Sequence, residues 1–171
     1  EYEVAEQAAG WQKELELAQK GISHNPETEE YGISSFVYQN PKPFHPMRFL
    51  DFVSRDFPTT IIRSKGVCWI ASRPDNAILW SQAGGSLKAE IYGRWWASVS
   101  LKRRALSDAY LENQEEIQSK WDSKWGDRMN ELVFIGQEMD KAKITADLDN
   151  CILTADEITE MDNGDANFQD D

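Results

Sequence analysis

Two histidines and two cysteines are the residues here best suited to nucleophilic or metal chemistry, and their spacing gives neither. His24 lies in a polar, proline-containing stretch without a partner nearby. His45 stands between Phe44 and Pro46, a setting that suits a helix cap or a backbone partner as well as a metal ligand. Cys68 and Cys151 are far apart and form no Cys-x-x-Cys or Cys/His cluster, so no disulfide framework or zinc site is signalled and buried, reduced thiols are expected. A phosphate-binding loop needs Gly-x-x-x-x-Gly-Lys-Ser/Thr between a strand and a helix. Gly84-Gly85-Ser86 lacks the lysine and that setting, and reads as a turn. No catalytic residue is assigned, and neither nucleotide affinity nor GTPase activity is expected of this chain alone.

A second group of residues points to contact rather than catalysis. Seven tryptophans are many for 171 residues, and Trp69, Trp80, Trp95 and Trp96 fall among candidate strands. They suit either a packed core or, for one of the consecutive pair Trp95 and Trp96, an exposed anchor. Arg63, Lys65, Arg73, Arg94 and Arg128 sit near glycine or tryptophan at element ends, where they either pair within the domain or form a docking surface. Arg63, Lys65, Arg94, Trp95 and Arg128 are therefore the candidate partner-binding residues.

The net charge of −12 is unevenly placed. Residues 1–31 carry a net −6, residues 155–171 a net −7, and the stretch between is close to neutral. So acidic a chain is poorly suited to nucleic-acid phosphates. No apolar run approaches the roughly 20 residues of a membrane-spanning helix, and no basic leader precedes the folded region, so a cytoplasmic domain cut from a longer chain is expected.

The elements that must position these residues follow from periodicity. Val4, Ala8, Trp11, Leu15 and Ala18 share one helical face, and an acidic linker follows at residues 23–30. Ile33 to Tyr38 reads as a strand. Pro46 opens a helix whose apolar face is read as Met47, Leu50, Val53 and Phe57. Strands are expected at 60–62 and 66–71, or as one strand bent at Gly66, then at 77–82 and 87–91 around a Gly84-Gly85 turn. A surface helix is expected from Leu106 to Trp121. Leu132 to Ile135 is apolar on both faces and belongs at an interior position of the sheet. Asp140 caps a last long helix; Thr154 and Glu157 have capping-box spacing for one short turn, after which the end reads as disordered. The fold class is α+β: one mixed, largely antiparallel sheet with helices on one side, opening with a β-α-β unit. Three segments result: 1–31, a helix and linker; 32–154, the folded domain; and 155–171, an acidic tail whose removal should leave the fold intact.

Several separated blocks then carry a resemblance: Tyr31 to Tyr38; Pro43-Phe44-His45-Pro46 with Arg48-Phe49; Arg63 to Gly66; Trp80 to Gly85; Gly93-Arg94-Trp95-Trp96; and Gly126-Asp127-Arg128 followed by Glu131 to Gly136. Together they resemble the C-terminal domain of CobW/YjiA/YciC-type metallochaperone GTPases over about residues 31–154. The resemblance implies a non-catalytic domain that follows a P-loop GTPase half. GTP, magnesium and a transition metal such as zinc or cobalt would belong to that half. The implied partners are that half and a client metalloenzyme, with no nucleic acid or membrane. A metal-binding module using His45, Cys68 or carboxylates is the alternative.

Overall fold

The computed structural model describes residues 31–168, so the helix and linker expected at residues 1–30 lie outside the described residues. Strand β1 (Ile33–Asn40) leads through Pro41 and Pro43 into helix α1 (Pro46–Arg55), then strands β2 (Ile61–Cys68), β3 (Asn76–Ala83) and β4 (Ser86–Arg94). A 3₁₀ turn (Trp96–Ser98) and three short helices follow: α2 (Leu101–Arg104), α3 (Asp108–Glu112) and α4 (Gln114–Ser119). Strand β5 (Asn130–Gln137) and helices α5 (Lys141–Cys151) and α6 (Ala155–Asn163) complete the series.

The sheet order is β1-β5-β2-β3-β4. Every neighbouring pair in it is antiparallel, so the α+β fold with a largely antiparallel sheet expected from sequence is observed, with no parallel pair among the described strands to make the sheet mixed. An isolated parallel bridge joins Phe44 and Ile70 outside the named strands. Strand β5 lies between β1 and β2, as its two apolar faces require. The β-α-β start is therefore split, with a strand from far along the chain inserted between its two halves.

Because side chains alternate along a strand, the sheet has two distinct faces. Phe36, Tyr38, Trp80, Leu132 and Phe134 point toward α1 and α5 and join Phe49, Phe52, Ile144 and Leu148 in the main core. Burial of each such large apolar side chain stabilises the fold by roughly 1.5–3 kcal/mol. A buried polar chain runs through this layer: Trp80 Nε1 donates to Ser64 Oγ at 2.8 Å and Ser64 Oγ donates to Gln82 Oε1 at 3.1 Å. The Gln82 amide in turn donates to the carbonyl of Gly84, so these groups exchange water for protein hydrogen-bond partners.

Gly66 marks the closest approach in the sheet. A Cβ there would lie 2.0 Å from the Glu131 carbonyl oxygen, so only glycine lets β2 and β5 pair at this point. Residues 61–68 form one strand whose irregularity falls between Ile61 and Arg63, rather than at Gly66.

Three local expectations change. Helix α1 buries Pro46, Phe49, Phe52 and Val53, while Met47 and Leu50 are 39 % and 44 % exposed. The single helix expected from Leu106 to Trp121 is broken at Asn113 into α3 and α4. The tail does not remain unstructured after 154. Residues 155–163 form α6, with a complete Thr154/Glu157 capping box and Gly164 in the left-handed conformation at its end. Ile158 inserts beside Trp69, Trp125 and Leu153 in a second core, giving the helix the apolar anchor that its acidic composition concealed.

Candidate docking groove

Beyond the last residue of β4 the chain turns sharply, and the Asp127 carboxylate controls that turn. Its two oxygens accept from the amides of Trp96 and Ala97, both at 2.8 Å. Trp95 and Trp96 are therefore not strand neighbours on opposite faces. Trp95 caps the 3₁₀ turn, is 8 % exposed, and donates from its indole nitrogen to the Asn76 carbonyl at 3.0 Å. Trp96 is half-buried and meets Tyr110 edge-on, with ring centroids 5.1 Å apart. Gly126 precedes the carboxylate with φ +68°, and a Cβ there would lie 2.5 Å from Ala97 Cβ. Both the backbone conformation and the space require glycine.

This turn forms one wall of a groove of about 750 Å³. Val67 and Ala77 of the sheet line it together with Tyr92, Trp95, Trp96 and Met129, and its polar lining is Gln39, Arg94, Glu116, Lys120, Asp127 and Glu131. Lys120 and Glu116 are paired at 3.0 Å, and Arg94 reaches Asp75 at 3.3 Å, in both cases between exposed side chains. Pairs of this kind are weak and exchange readily for new partners. The groove thus has an apolar, aromatic floor beneath a rim that carries both charges.

The structure does not treat the five sequence-derived candidates alike. Arg94 is exposed at the groove rim and Trp95 forms its wall. Arg63 and Lys65 project from β2 on the same sheet face as Val67, pairing across the sheet with Ile135 and Val133. Arg128 turns inward. Its guanidinium lies 5.6 Å over Trp69, donates to the Pro74 and Trp125 carbonyls at 2.9 and 3.3 Å, and reaches Ser98 Oγ at 2.8 Å. Burial lowers its pKa from the usual arginine value. These contacts make Arg128 a strut between residues 74, 98 and 125. Glu116 and Lys120 were missed as candidates, and Trp96 was weighed only as the alternative to Trp95 for an exposed anchor. Only Trp96 had a sequence signal, its place in the Gly93-Arg94-Trp95-Trp96 block; the position of α4 beside the sheet is a tertiary outcome.

Of the residues suited to metal chemistry, His24 lies outside the described residues, and the other three are otherwise engaged. Cys68 is fully buried, which pushes its thiol up to about 12. Cys151 is also buried, which raises it to about 11. His45 caps α1, its Nδ1 accepting from the Arg48 amide at 3.5 Å; burial, then the Arg48 charge, holds its pKa below the usual histidine value. Among the described residues no three His, Cys, Asp or Glu side chains are grouped as ligands.

The family model described as "Cobalamin synthesis protein cobW C-terminal domain" matches residues 33–152, most of the chain. The chain belongs to this family. Within the CobW C-terminal domain family it is 38 % identical over 161 residues to "Zinc-regulated GTPase metalloprotein activator 1" of Dictyostelium discoideum, covering 92 % of this chain and 32 % of that protein. It is 29 % identical over 117 residues to a zinc chaperone of Mycobacterium tuberculosis, covering 68 % of this chain and 29 % of that one. Among solved structures, a Zn(II)-bound triple mutant of the YjiA GTPase aligns over 76 % of this chain and 33 % of its own, at 16 % identity and a TM-score of 0.47. The CobW C-terminal domain thus spans about a third of the length of the curated relatives it matches. No described helix is long and apolar enough to cross a membrane.

Proposed function

We propose that this CobW C-terminal domain is a non-catalytic docking module of a GTP-dependent metal chaperone, and that it meets the GTPase half through the groove beside Trp96. One observation carries the reading: the groove combines an aromatic floor with an exposed, weakly paired Arg94, in a domain whose relatives are about three times its length and are named as a zinc-regulated GTPase metalloprotein activator and a zinc chaperone. GTP and magnesium belong to the preceding half in this reading, and zinc or cobalt is its cargo. A client metalloprotein would be a second partner.

Coupling to nucleotide state requires that the contact free energy differ between the two states of the GTPase half, since equal affinity for both would shift nothing. Titration of the separately prepared domain with the GTPase half, loaded with a non-hydrolysable GTP analogue or with GDP, tests this. The reading expects saturable one-to-one binding with at least a severalfold difference in Kd between the nucleotides. No binding in either state would overturn it.

A further inference from the structure

Strand β4 stands at one end of the sheet order, and among the described residues it pairs only with β3. Every residue from Ser86 to Ile91 is exposed, with Leu87 at 43 % and Ile91 at 59 %. The Gly84-Gly85 turn closes on Ala83 and Ser86, and the turn's own hydrogen bond joins that pair. Ladder bonds alternate from there, so Ser86, Lys88 and Glu90 aim their backbone groups at β3, while Leu87, Ala89 and Ile91 aim theirs outward. An open edge of this length is a template for another strand unless a bulge or a charge blocks it. The irregularity in this ladder lies beyond Ile91, where the register shifts between Ala77 and Ile78. The charges at Lys88 and Glu90 oppose most partners, but not one that carries the same pair in reverse.

We infer that β4 pairs antiparallel with β4 of a second copy of this chain, about a two-fold axis at Ala89. Read outward from Ala89 the strand is self-complementary. Lys88 falls opposite Glu90 of the second copy, and Leu87 opposite its Ile91. This register uses the backbone groups that point outward: Ala89 meets Ala89 and Leu87 meets Ile91 in hydrogen-bonded pairs, adding about six ladder bonds. Lys88 and Glu90 then occupy the intervening pairs, where side chains of facing strands come closest. Within one copy these two side chains meet at 2.8 Å while 64 % and 52 % exposed, a contact that exchanges readily for a new partner. Moving the axis by one residue sets Lys88 against Lys88 or Glu90 against Glu90, which like charge opposes. Leu87, Ala89 and Ile91 lie on the sheet face of Trp80, the partner of Ala89 across the ladder and a member of the main core. Pairing brings the two sets into one apolar strip and joins two five-stranded sheets edge to edge. Residues 86–91 line no part of the groove beside Trp96, so this contact is independent of the docking proposal.

Sedimentation velocity of the 171-residue chain over a concentration series is expected to show a reversible monomer–dimer equilibrium. Lys88→Glu should weaken it at least about fivefold, because like charges then face each other at two symmetric positions, with an unchanged circular dichroism spectrum. Lys88→Glu combined with Glu90→Lys should restore it, since the reversed pair is again self-complementary. The register has its own readout. Under mild oxidation Ala89→Cys should give a disulfide between two copies, as its Cα atoms would lie about 5.5 Å apart, within the span of a disulfide. Leu87→Cys should not, because the two copies of position 87 would lie about 13 Å apart along the strands; Cys68 and Cys151 are buried and contribute no background. A monomer at every concentration, a dimer indifferent to Lys88→Glu, no rescue by the double variant, or cross-linking at position 89 no greater than at position 87 would overturn the inference.

Discussion

The Arg48 guanidinium and the Glu157 carboxylate meet in a two-pronged ion pair, Nη1 to Oε1 at 2.8 Å and Nη2 to Oε2 at 2.7 Å, across 109 residues of sequence. Arg48 also donates to the Ile152 carbonyl, and Glu157 also accepts from the Thr154 amide. The first and last helices of the described domain are thereby locked together at the point where α6 begins. Planar bidentate geometry of this kind is stronger than a single surface contact.

Ending the chain after Thr154 removes this clamp and the Ile158 anchor together. The expected result is a loss of roughly 1–3 kcal/mol, read as a drop of several degrees in melting temperature. Glu157→Gln in the full chain should reproduce only part of that loss, because Ile158 stays in place.

The clamp also predicts an acid limb. The Arg48 hydrogen bonds, foremost, hold the Glu157 carboxyl at about 2, well below its ordinary 4.5. A group whose folded pKa is depressed binds its proton more weakly in the native state, so its stabilisation is present above about 4.5 and is lost as pH falls from there toward 2. Melting temperature measured across this window should decline less steeply in Glu157→Gln than in the parent chain.

Gly66→Ala should be among the most damaging single substitutions. The added carbon would meet the Glu131 carbonyl and the Leu132 Cα, both backbone atoms, and neither can rotate away. Separation of β2 from β5 is expected, with a loss of more than about 3 kcal/mol or failure to accumulate folded protein. A cooperative melt close to that of the parent chain would show that the strands adjust.

What could be read in the sequence was what depends on short-range pattern. Leu132 to Ile135, apolar on both faces, could only be an interior strand, and Gly84-Gly85 between two alternating runs could only be a hairpin. Helix α1 was legible as a helix, but its buried face was not, because Phe49 and Phe52 reach the core from positions beside the stripe that Met47, Leu50 and Val53 suggested. Composition misled at α6: seven acids in residues 155–171 hid the Ile158 anchor and the distant arginine that stabilise it. The groove was half legible. Arg94 and Trp95 stand in a distinctive block, whereas Glu116 and Lys120 reach it only through the break at Asn113 and the turn fixed by Asp127.

The two arginines that sequence grouped together are separated by their contacts, and the most direct test of the docking account uses that difference. Arg94→Ala should weaken association with the separately prepared GTPase half by roughly 1–3 kcal/mol, about 5- to 150-fold in Kd, with melting of the isolated domain nearly unchanged. Arg128→Ala should do the reverse to melting, lowering it markedly because the Pro74 and Trp125 carbonyls and the Trp69 face lose their partner. Unchanged affinity in Arg94→Ala, measured by titration against the same GTPase half, would contradict the assignment of the groove as the docking surface.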